Sequence, residues 1–222
     1  MEQQQSSWLV QRLQASAGPQ SFVAVMDWLL NDPAYGYYGS GQVRFGSGGD
    51  FVTAPSQGPV FAELLARQLR PCLDALAAES GPLTLIEWGP GDGQLMRDLI
   101  AGIGAESPAW LDRLELVLME SSPALQARQR QTLAGSAVPV HWCSPQQLAA
   151  EPRRGLIVAH ELLDALPVQR FGLQNGNWHE WLVGVDGQQQ PCWQVGAGLA
   201  PAVLEQLEQL GLPPGGGGRR DG

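Results

Sequence analysis

The sequence feature that most constrains the fold is a glycine-rich turn between a strand-like and a helix-like segment, L-I-E-W-G-P-G-D-G at residues 85–93. A short apolar run ends at Glu87, and a helical pattern begins at Gln94. Between them glycine occupies every second position, at Gly89, Gly91 and Gly93. Glycine has no side chain to block a ligand and tolerates positive φ angles. The free N–H groups at the start of the following helix point at the same place, so the turn predicts a nucleotide-type cofactor site.

The spacing of these glycines separates two classes of cofactor. In the dinucleotide fingerprint G-x-G-x-x-G the third glycine packs helix against strand, and here Gln94 takes that position. Glu87 would repel a pyrophosphate, whereas it suits the cationic α-amino group of S-adenosylmethionine, which carries no phosphate. An acid-x-G-x-G-x-G turn after a first strand resembles motif I of the class I methyltransferases. The pattern favours the methyl donor, and a dinucleotide site and a plain glycine-rich turn stay open as alternatives.

A second acidic residue follows the next apolar run. Residues 114–119 read L-E-L-V-L-M and end at Glu120, after which S-S-P places proline at a first helical position. An acid at the carboxyl end of a second strand can accept hydrogen bonds from both ribose hydroxyls of an adenosyl group. The alternative is a surface acid that stabilises the dipole of the following helix.

Composition limits the class of partner and the location. The 222 residues carry a net charge of −9, which disfavours a nucleic-acid substrate because phosphate contacts need basic patches. A small molecule or a basic protein segment is compatible with this charge. The three cysteines are far apart and form no zinc pattern, no apolar run reaches the length of a membrane span, and the first residues lack a secretory signal. We therefore expect a cytoplasmic protein that does not contact a membrane.

Strands alternate with helices along the chain, which predicts an α/β fold with a parallel sheet. We expect a helical and glycine-rich lid region over residues 1–80, a Rossmann-like cofactor-binding core over 81–212, and a disordered tail over 213–222. Beyond the two strands already described, the patterns predict strands at 138–142, 156–159, 168–173 and 178–185. They predict helices at 6–16, 21–31, 59–80, 123–134 and 201–210, and a short helix that opens at residues 144–145.

The segment over residues 39–55 is too rich in glycine for a helix or a central strand, and loops of this length are usually disordered or functional. Because a site closed to water favours loss of the sulfonium charge, we interpret the segment as a lid over the cofactor, with Asp50 and Thr53 as its polar contacts. A flexible surface loop is the alternative.

The fourth strand runs into H-E-L-L-D-A-L-P at residues 160–167. Glu161 and Asp164 are three positions apart and would share one face of a helical turn. Two carboxylates near a methyl donor suit a guanidinium or amine substrate, so we expect Glu161, Asp164 and His160 to be the catalytic residues. The alternative is an acidic helix N-terminus. The stretch lacks the second histidine of the zincin motif H-E-x-x-H, and we expect no metal.

Taken in order, several motifs resemble the MidA family of class I methyltransferases, which includes a mitochondrial protein arginine methyltransferase that assists assembly of respiratory complex I. The motifs extend from residue 22 to about residue 183. They are D-P-x-x-G-Y-Y at 32–38, G-D-F-V-T-A-P at 49–55, E-W-G-P-G-D-G-Q-L-M at 87–96, E-S-S-P-A-L at 120–125 and E-L-L-D-A-L-P at 161–167. The resemblance implies a Rossmann-like core, S-adenosylmethionine as cofactor, and a cleft lined by Asp50, Thr53 and the glycine turn.

Two features depart from the family pattern. His160 stands where the family usually has asparagine, and the family's chain continues well beyond 222 residues, so the core is expected to be shortened at its C-terminal end. The leading interpretation is a methyltransferase that acts on a protein side chain, with arginine as one candidate. A non-catalytic cofactor-binding assembly factor is the second interpretation, and a dinucleotide-dependent oxidoreductase is the third.

Overall fold

A computed structural model describes residues 2–78 and 81–212 of the chain. Its helices are α1 (Glu2–Ala15), α2 (Phe22–Asn31), α3 (Val60–Ala77), α4 (Gln94–Glu106), α5 (Pro108–Leu111), α6 (Pro123–Thr132), α7 (Pro145–Ala150) and α8 (Pro201–Gln209). Its strands are β1 (Gln20–Ser21), β2 (Leu83–Trp88), β3 (Leu114–Met119), β4 (Val140–Trp142), β5 (Gly155–Val158), β6 (Phe171–Gln174), β7 (Asn177–Val185) and β8 (Pro191–Gly198). Short 3₁₀ turns cover Ala54–Gln57 and Leu163–Ala165.

The chain forms two compact units. One unit comprises residues 31–165, and the other combines residues 1–30 with residues from 166 onward. This division differs from the predicted boundaries at residues 80 and 81. Helix α3 packs against α4 and so belongs with the parallel sheet, whereas β6, β7 and β8 form a sheet with β1 near the N-terminus. The predicted disordered tail over 213–222 lies outside the described residues.

The unit over residues 31–165 is built on a parallel sheet in the order β4-β3-β2-β5. The sheet confirms the α/β prediction. Strands β2 and β3 pair along their whole length, and Glu87 lies opposite Leu118 on one side and Val158 on the other. Central strands of a parallel sheet are buried on both faces, which explains why these segments read as continuous apolar runs. It also places an acidic residue, Glu87, inside the sheet.

One face of this sheet carries the main hydrophobic core. Leu83 and Leu85 of β2 and Leu116 of β3 are almost fully buried against helices α3 and α4. Helix α4 contributes Met96, Leu99 and Ile103, which recur at the spacing of one helical face. Helix α3 continues through Pro71. This packing fixes the start of α4, and with it the position of the glycine turn.

The opposite face of the sheet is covered less completely. Ile86, Val117 and Met119 are buried there, with Cys143 and Leu148 packed against them. Ile157, the direct partner of Ile86 on β5, remains 62% exposed. Among the described residues β5 is the last strand in the sheet order, so both its edge and one face border solvent.

The other unit contains an antiparallel sheet in the order β1-β7-β6, with β8 pairing to β7. The hairpin between β6 and β7 turns at Asn175 and Gly176, both with positive φ, as an N-G loop demands. Strand β8 was not predicted, because glycine and proline interrupt its pattern. The predicted strands at 168–173 and 178–185 exist, but they are antiparallel and do not extend the parallel sheet.

Ile86 and Ile157 form a matched pair for testing the exposure of β5. Ile86→Ala should lower the free energy of unfolding by about 2–5 kcal/mol, because it leaves a cavity in a packed layer. Ile157→Ala should lower it by less than about 1 kcal/mol, because water already reaches most of that side chain. Urea unfolding followed by circular dichroism measures both changes as shifts of the midpoint. Equal losses would mean that Ile157 is covered in solution.

Candidate cofactor and acceptor site

The turn between β2 and α4 has the backbone that its glycines predict. Gly89, Gly91 and Gly93 have φ angles of +74°, +53° and +82°, a region that L side chains rarely adopt. A Cβ atom on Gly89 would lie 2.8 Å from the Cδ1 atom of Leu162, and one on Gly91 would lie 3.3 Å from the ring of Phe45. A side chain at Gly89 or Gly91 would therefore have to displace these neighbours in a backbone conformation that already disfavours it.

Glu87 presents a buried carboxyl group just before this turn. The residue is 2% exposed, and its Oε2 atom has no hydrogen-bond partner among the described residues. Burial, with a smaller contribution from the nearby charge of Asp92, raises the pKa of Glu87 to about 8. A buried carboxylate without a partner is costly, so the protein alone favours the neutral form. A cation beside Glu87 would favour the charged form.

Glu120 lies directly after β3. It is therefore at the carboxyl ends of the parallel strands, as Glu87 is. Its Oε1 atom accepts a hydrogen bond from the backbone N–H of Ser122 at 2.7 Å. Burial raises the pKa of Glu120, and hydrogen bonds from Ser121, Ser122 and Gln129 oppose that rise. Glu120 is only partly buried, so its carboxylate can still accept hydrogen bonds from a ligand.

The first half of the glycine-rich segment is hydrogen-bonded to helix α6 and its N-cap residue. The Oγ atom of Ser122 donates to the carbonyl oxygen of Tyr38 at 3.0 Å. The guanidinium of Arg128 donates to the carbonyls of Val43, at 2.6 Å, and Gly41. A Cβ atom on Gly41 would lie 2.4 Å from that of Ala124, a residue of α6. The structure does not confirm the predicted lid over residues 39–55, because this half is bonded in place.

Asp50 and Thr53 lie in the second half of that segment. Asp50 is exposed and pairs with Arg44, whose backbone N–H donates to Oδ2 at 3.2 Å. That backbone hydrogen bond is the main cause of the lowered pKa of Asp50. The backbone of Thr53 bonds to the Oγ atom of Ser56 at the start of a 3₁₀ turn. From this segment the structure brings the ring of Phe45, rather than Asp50, onto the glycine turn.

Glu161 and Asp164 do not share a helical face, and this part of the sequence interpretation is wrong. Glu161 has a φ of +49°, which breaks any helix, and Asp164 lies in the 3₁₀ turn that follows. Both side chains are exposed. Between them Leu162 packs toward Gly89, so the segment covers the glycine turn with an apolar side chain and leaves its carboxylates toward solvent.

Tyr38 shares the environment of these two carboxylates. Burial raises the pKa of the Tyr38 hydroxyl, and the charges of Asp164 and Glu161 raise it further. His160 is partly buried and lies against the ring of Phe61, with centroids 5.3 Å apart. The structure thus brings together an acidic pair, a neutral phenol and an imidazole beyond the carboxyl end of β5.

Sequence reasoning did not assign roles to Phe45, Leu162, Tyr38 or Gln129. Gln129 is fully buried and bonds to both the glycine turn and Glu120. The only sequence signals were the tyrosine pair of the D-P-x-x-G-Y-Y motif and a glutamine after E-S-S-P-A-L. Neither signal shows which side chain reaches the turn, because the contacts join distant parts of the chain.

Two further properties concern only the residues that the structure describes. No group of three or more histidine, cysteine, aspartate or glutamate side chains in 2–78 and 81–212 is arranged to hold a metal ion. In the same ranges no helix combines the length and the apolar character that crossing a membrane requires.

Comparison with known proteins identifies relatives over most of the chain. Residues 64–219 match the model of a protein family described as "Putative S-adenosyl-L-methionine-dependent methyltransferase". The chain is 30% identical over 199 residues to the protein arginine methyltransferase NDUFAF7, mitochondrial, of Danio rerio, a match that covers 77% of this chain and 44% of the relative. It is 31% identical over 201 residues to the NDUFAF7 homolog of Drosophila melanogaster, covering 81% and 45%.

A solved structure supports the same relationship. It is a COG1565 superfamily member and likely methyl transferase from Burkholderia thailandensis, bound to S-adenosyl-homocysteine. The match has a TM-score of 0.75 and 30% identity, and it covers 92% of this chain and 54% of the other. The present chain therefore spans about half the length of the relatives that it matches.

The comparisons overturn one prediction and establish another. The expected cytoplasmic location is contradicted, because the Danio rerio and Drosophila melanogaster relatives are named as mitochondrial proteins. The family resemblance read from the motifs is confirmed, because the family match covers more than half of the chain. The chain belongs to the MidA family of S-adenosyl-L-methionine-dependent methyltransferases.

Proposed function

We propose that this chain binds S-adenosylmethionine and transfers the methyl group to a protein side chain, with the arginine guanidinium as the acceptor. The observation that carries the proposal is the buried Glu87 carboxyl, whose Oε2 atom has no hydrogen-bond partner among the described residues and which lies beside three left-handed glycines. The ligand of the Burkholderia relative, S-adenosyl-homocysteine, has an α-ammonium group that would supply the missing cation.

The residues around the turn fit the parts of that ligand. Glu87 would hold the α-ammonium group, and the free N–H groups at the start of α4 would stabilise the adjacent carboxylate. Glu120 would accept hydrogen bonds from the two ribose hydroxyls. Gly89 and Gly91 place no side chain of their own in the way of this approach, and Leu162 and Phe45 pack beside them. We also propose Gly93, Asp50 and Thr53 for the wall of the cofactor cleft, on the strength of the family motifs.

The acceptor side of the site would act mainly by orientation. Bound S-adenosylmethionine supplies a methyl group on a positively charged sulfur. Glu161 and Asp164 would hold the guanidinium by charge-assisted hydrogen bonds, and His160 would border the acceptor. Arginine stays protonated because its pKa is above about 12, so these carboxylates would align the attacking nitrogen and take the one N–H proton that this nitrogen loses when it gains the methyl group. Alignment of reacting groups can contribute about 7–11 kcal/mol to a barrier reduction.

A second candidate function is a cofactor-binding assembly factor without catalytic activity. The observation that allows it is the exposure of Glu161 and Asp164, which leaves both carboxylates toward solvent. Such a protein would keep the glycine turn and bind S-adenosylhomocysteine without transferring a methyl group.

Calorimetric titration tests the proposal through the protons released on binding. At pH 7 the Glu87 carboxyl is largely protonated, because its pKa is about 8. Binding an ammonium group requires the charged form, so each S-adenosylhomocysteine should release close to one proton, and its affinity should rise between pH 6 and pH 8. Comparing observed enthalpies in buffers of different ionisation enthalpy measures this release.

The controls for that titration are two isosteric variants and a second ligand. Glu87→Gln should remove the proton release and weaken binding at pH 8 by about tenfold or more. Glu106→Gln, at the far end of α4, should change neither. Binding of NAD instead of S-adenosylhomocysteine by the unmodified protein would refute the proposal.

Glu87 should also make the unliganded protein less stable as the pH rises. Its folded pKa is raised from 4.5 to about 8, so the folded state holds a proton that the unfolded state has lost between those values. The stability contribution is therefore complete below pH 4.5 and decreases as the pH approaches 8. Glu87→Gln should raise the melting temperature of the unliganded protein at pH 8 more than at pH 5. Scanning calorimetry at both pH values checks this, and an equal change at both would contradict it.

Methyl transfer distinguishes the two candidate functions. With labelled donor and an arginine-containing protein acceptor, Glu161→Gln and Asp164→Asn should each lower transfer by about 10–100-fold, the loss of a charge-assisted hydrogen bond. Their affinity for S-adenosylhomocysteine should stay within about twofold of the unmodified protein. Glu208→Gln, an exposed position on α8, serves as the control. Cofactor binding without transfer by the unmodified protein would support the assembly factor instead.

A further inference from the structure

Gln129 of helix α6 is the most fully bonded side chain near the glycine turn. It is 0% exposed, and its amide contacts three separate elements. Its Nε2 atom donates to the carbonyl oxygen of Gly91 at 2.8 Å and to the Oε2 atom of Glu120 at 3.3 Å. Its Oε1 atom accepts from the indole Nε1–H of Trp142 at 2.8 Å. Both donors of the amide are therefore used within the protein.

Trp142 determines which way this amide faces. An indole nitrogen can only donate a hydrogen bond, so the amide oxygen of Gln129 must be the atom that faces it. The opposite orientation would place two donors against each other and the amide oxygen against the carboxylate of Glu120. The guanidinium of Arg130 lies 4.5 Å from the centre of the Trp142 ring and helps to hold the indole in place. The two N–H donors are thus directed at Gly91 and Glu120 by the chemistry of their neighbours.

As a result, both carboxylate oxygens of Glu120 accept a hydrogen bond from the protein. Oε1 is held by the backbone of Ser122 and Oε2 by Gln129. Each carboxylate oxygen can accept more than one hydrogen bond, so each retains capacity toward a ligand. The bond to Gly91 joins the same amide to the middle of the glycine turn. One buried side chain therefore links the two parts of the site that would receive the ribose and the amino-acid end of the cofactor.

We propose that Gln129 is a positioning residue, which holds Glu120 and the glycine turn in the arrangement that receives the adenosyl ligand without touching the ligand itself. This inference rests on the proposed function. It predicts that removing the amide weakens ligand binding through Glu120, even where the fold is retained.

The test uses 5′-deoxy-5′-methylthioadenosine, which has the ribose hydroxyls but lacks the amino-acid group that Glu87 would bind. Its affinity therefore depends on Glu120 without the titration of Glu87. Gln129→Met, which is similar in volume, should weaken its binding about tenfold at pH 7.5. The pH below which affinity falls should rise by at least about half a pH unit, because the charged form of Glu120 loses a hydrogen-bond donor and its pKa rises. Isothermal titration between pH 5 and pH 8 measures both effects.

Three comparisons make the result specific. Gln126→Met, one turn earlier on α6, removes a bond to the backbone carbonyl of Glu120 and should leave the pH profile unmoved. In a Glu120→Gln background, Gln129→Met should lose most of its effect, because the carboxylate is gone. If Gln129→Met does not fold, Trp142→Phe keeps Gln129 but frees its amide, and should move the profile in the same direction by less.

The outcomes separate this inference from the proposed function. If the unmodified protein binds both S-adenosylhomocysteine and methylthioadenosine but Gln129→Met has an unchanged pH profile, the positioning role is refuted and the proposed function stands. An equal loss of affinity in the presence and absence of the Glu120 carboxylate would also refute it. If the unmodified protein binds neither ligand, the proposed function fails, and this inference fails with it.

Discussion

The structure depends on one unfavourable placement, a carboxyl group at position 87 enclosed by the parallel sheet. Glu87 is the penultimate residue of the central strand β2, with β3 on one side and β5 on the other, and only 2% of its surface is exposed. Burial of an unpaired charge is costly, so the residue remains largely neutral at pH 7. A leucine at this position would avoid the free-energy cost of burying a carboxyl group. With glutamate there, a cation bound beside the carboxylate would offset that cost. The chain gives up stability at the place where the proposed ligand would restore it.

Helix α6 is a common support for the segments that surround the glycine turn. Ser122, the N-cap of the helix, bonds to the backbone of Tyr38, and Arg128 bonds to the carbonyls of Gly41 and Val43. On another face of the helix, Gln129 reaches the glycine turn and Glu120. A segment that is rich in glycine is thus ordered by polar side chains of a neighbouring helix. Precise placement of ligand-binding groups needs this kind of support from packed elements.

Local sequence patterns were sufficient to predict the parallel sheet and the glycine turn that follows β2. The apolar runs of β2 and β3 and the glycines between 89 and 93 have strong local signals, and they lie where expected. The relation of Glu161 to Asp164 was not predictable, because the left-handed conformation of Glu161 has no signature in its own residue type. Strand β8 forms a hairpin with β7 but its glycines and proline hide the strand pattern, and the contact of Gln129 with Gly91 joins residues distant in sequence. A single sequence shows which residues form an element more clearly than which elements meet.

The exposed position of Glu161 and Asp164 limits what they can do alone. Two opposite charges about 4 Å apart attract each other by only about 1 kcal/mol in bulk water, and by about 4 kcal/mol near a protein surface of lower effective dielectric constant. The pair can therefore select a guanidinium with useful strength only when water is displaced from around it. In the proposed reaction, the surface of the acceptor protein would displace that water as it docks. An isolated arginine would bind weakly at the same carboxylates, so in the proposed reaction recognition of the acceptor would depend on the surface around its arginine as well as on the side chain itself.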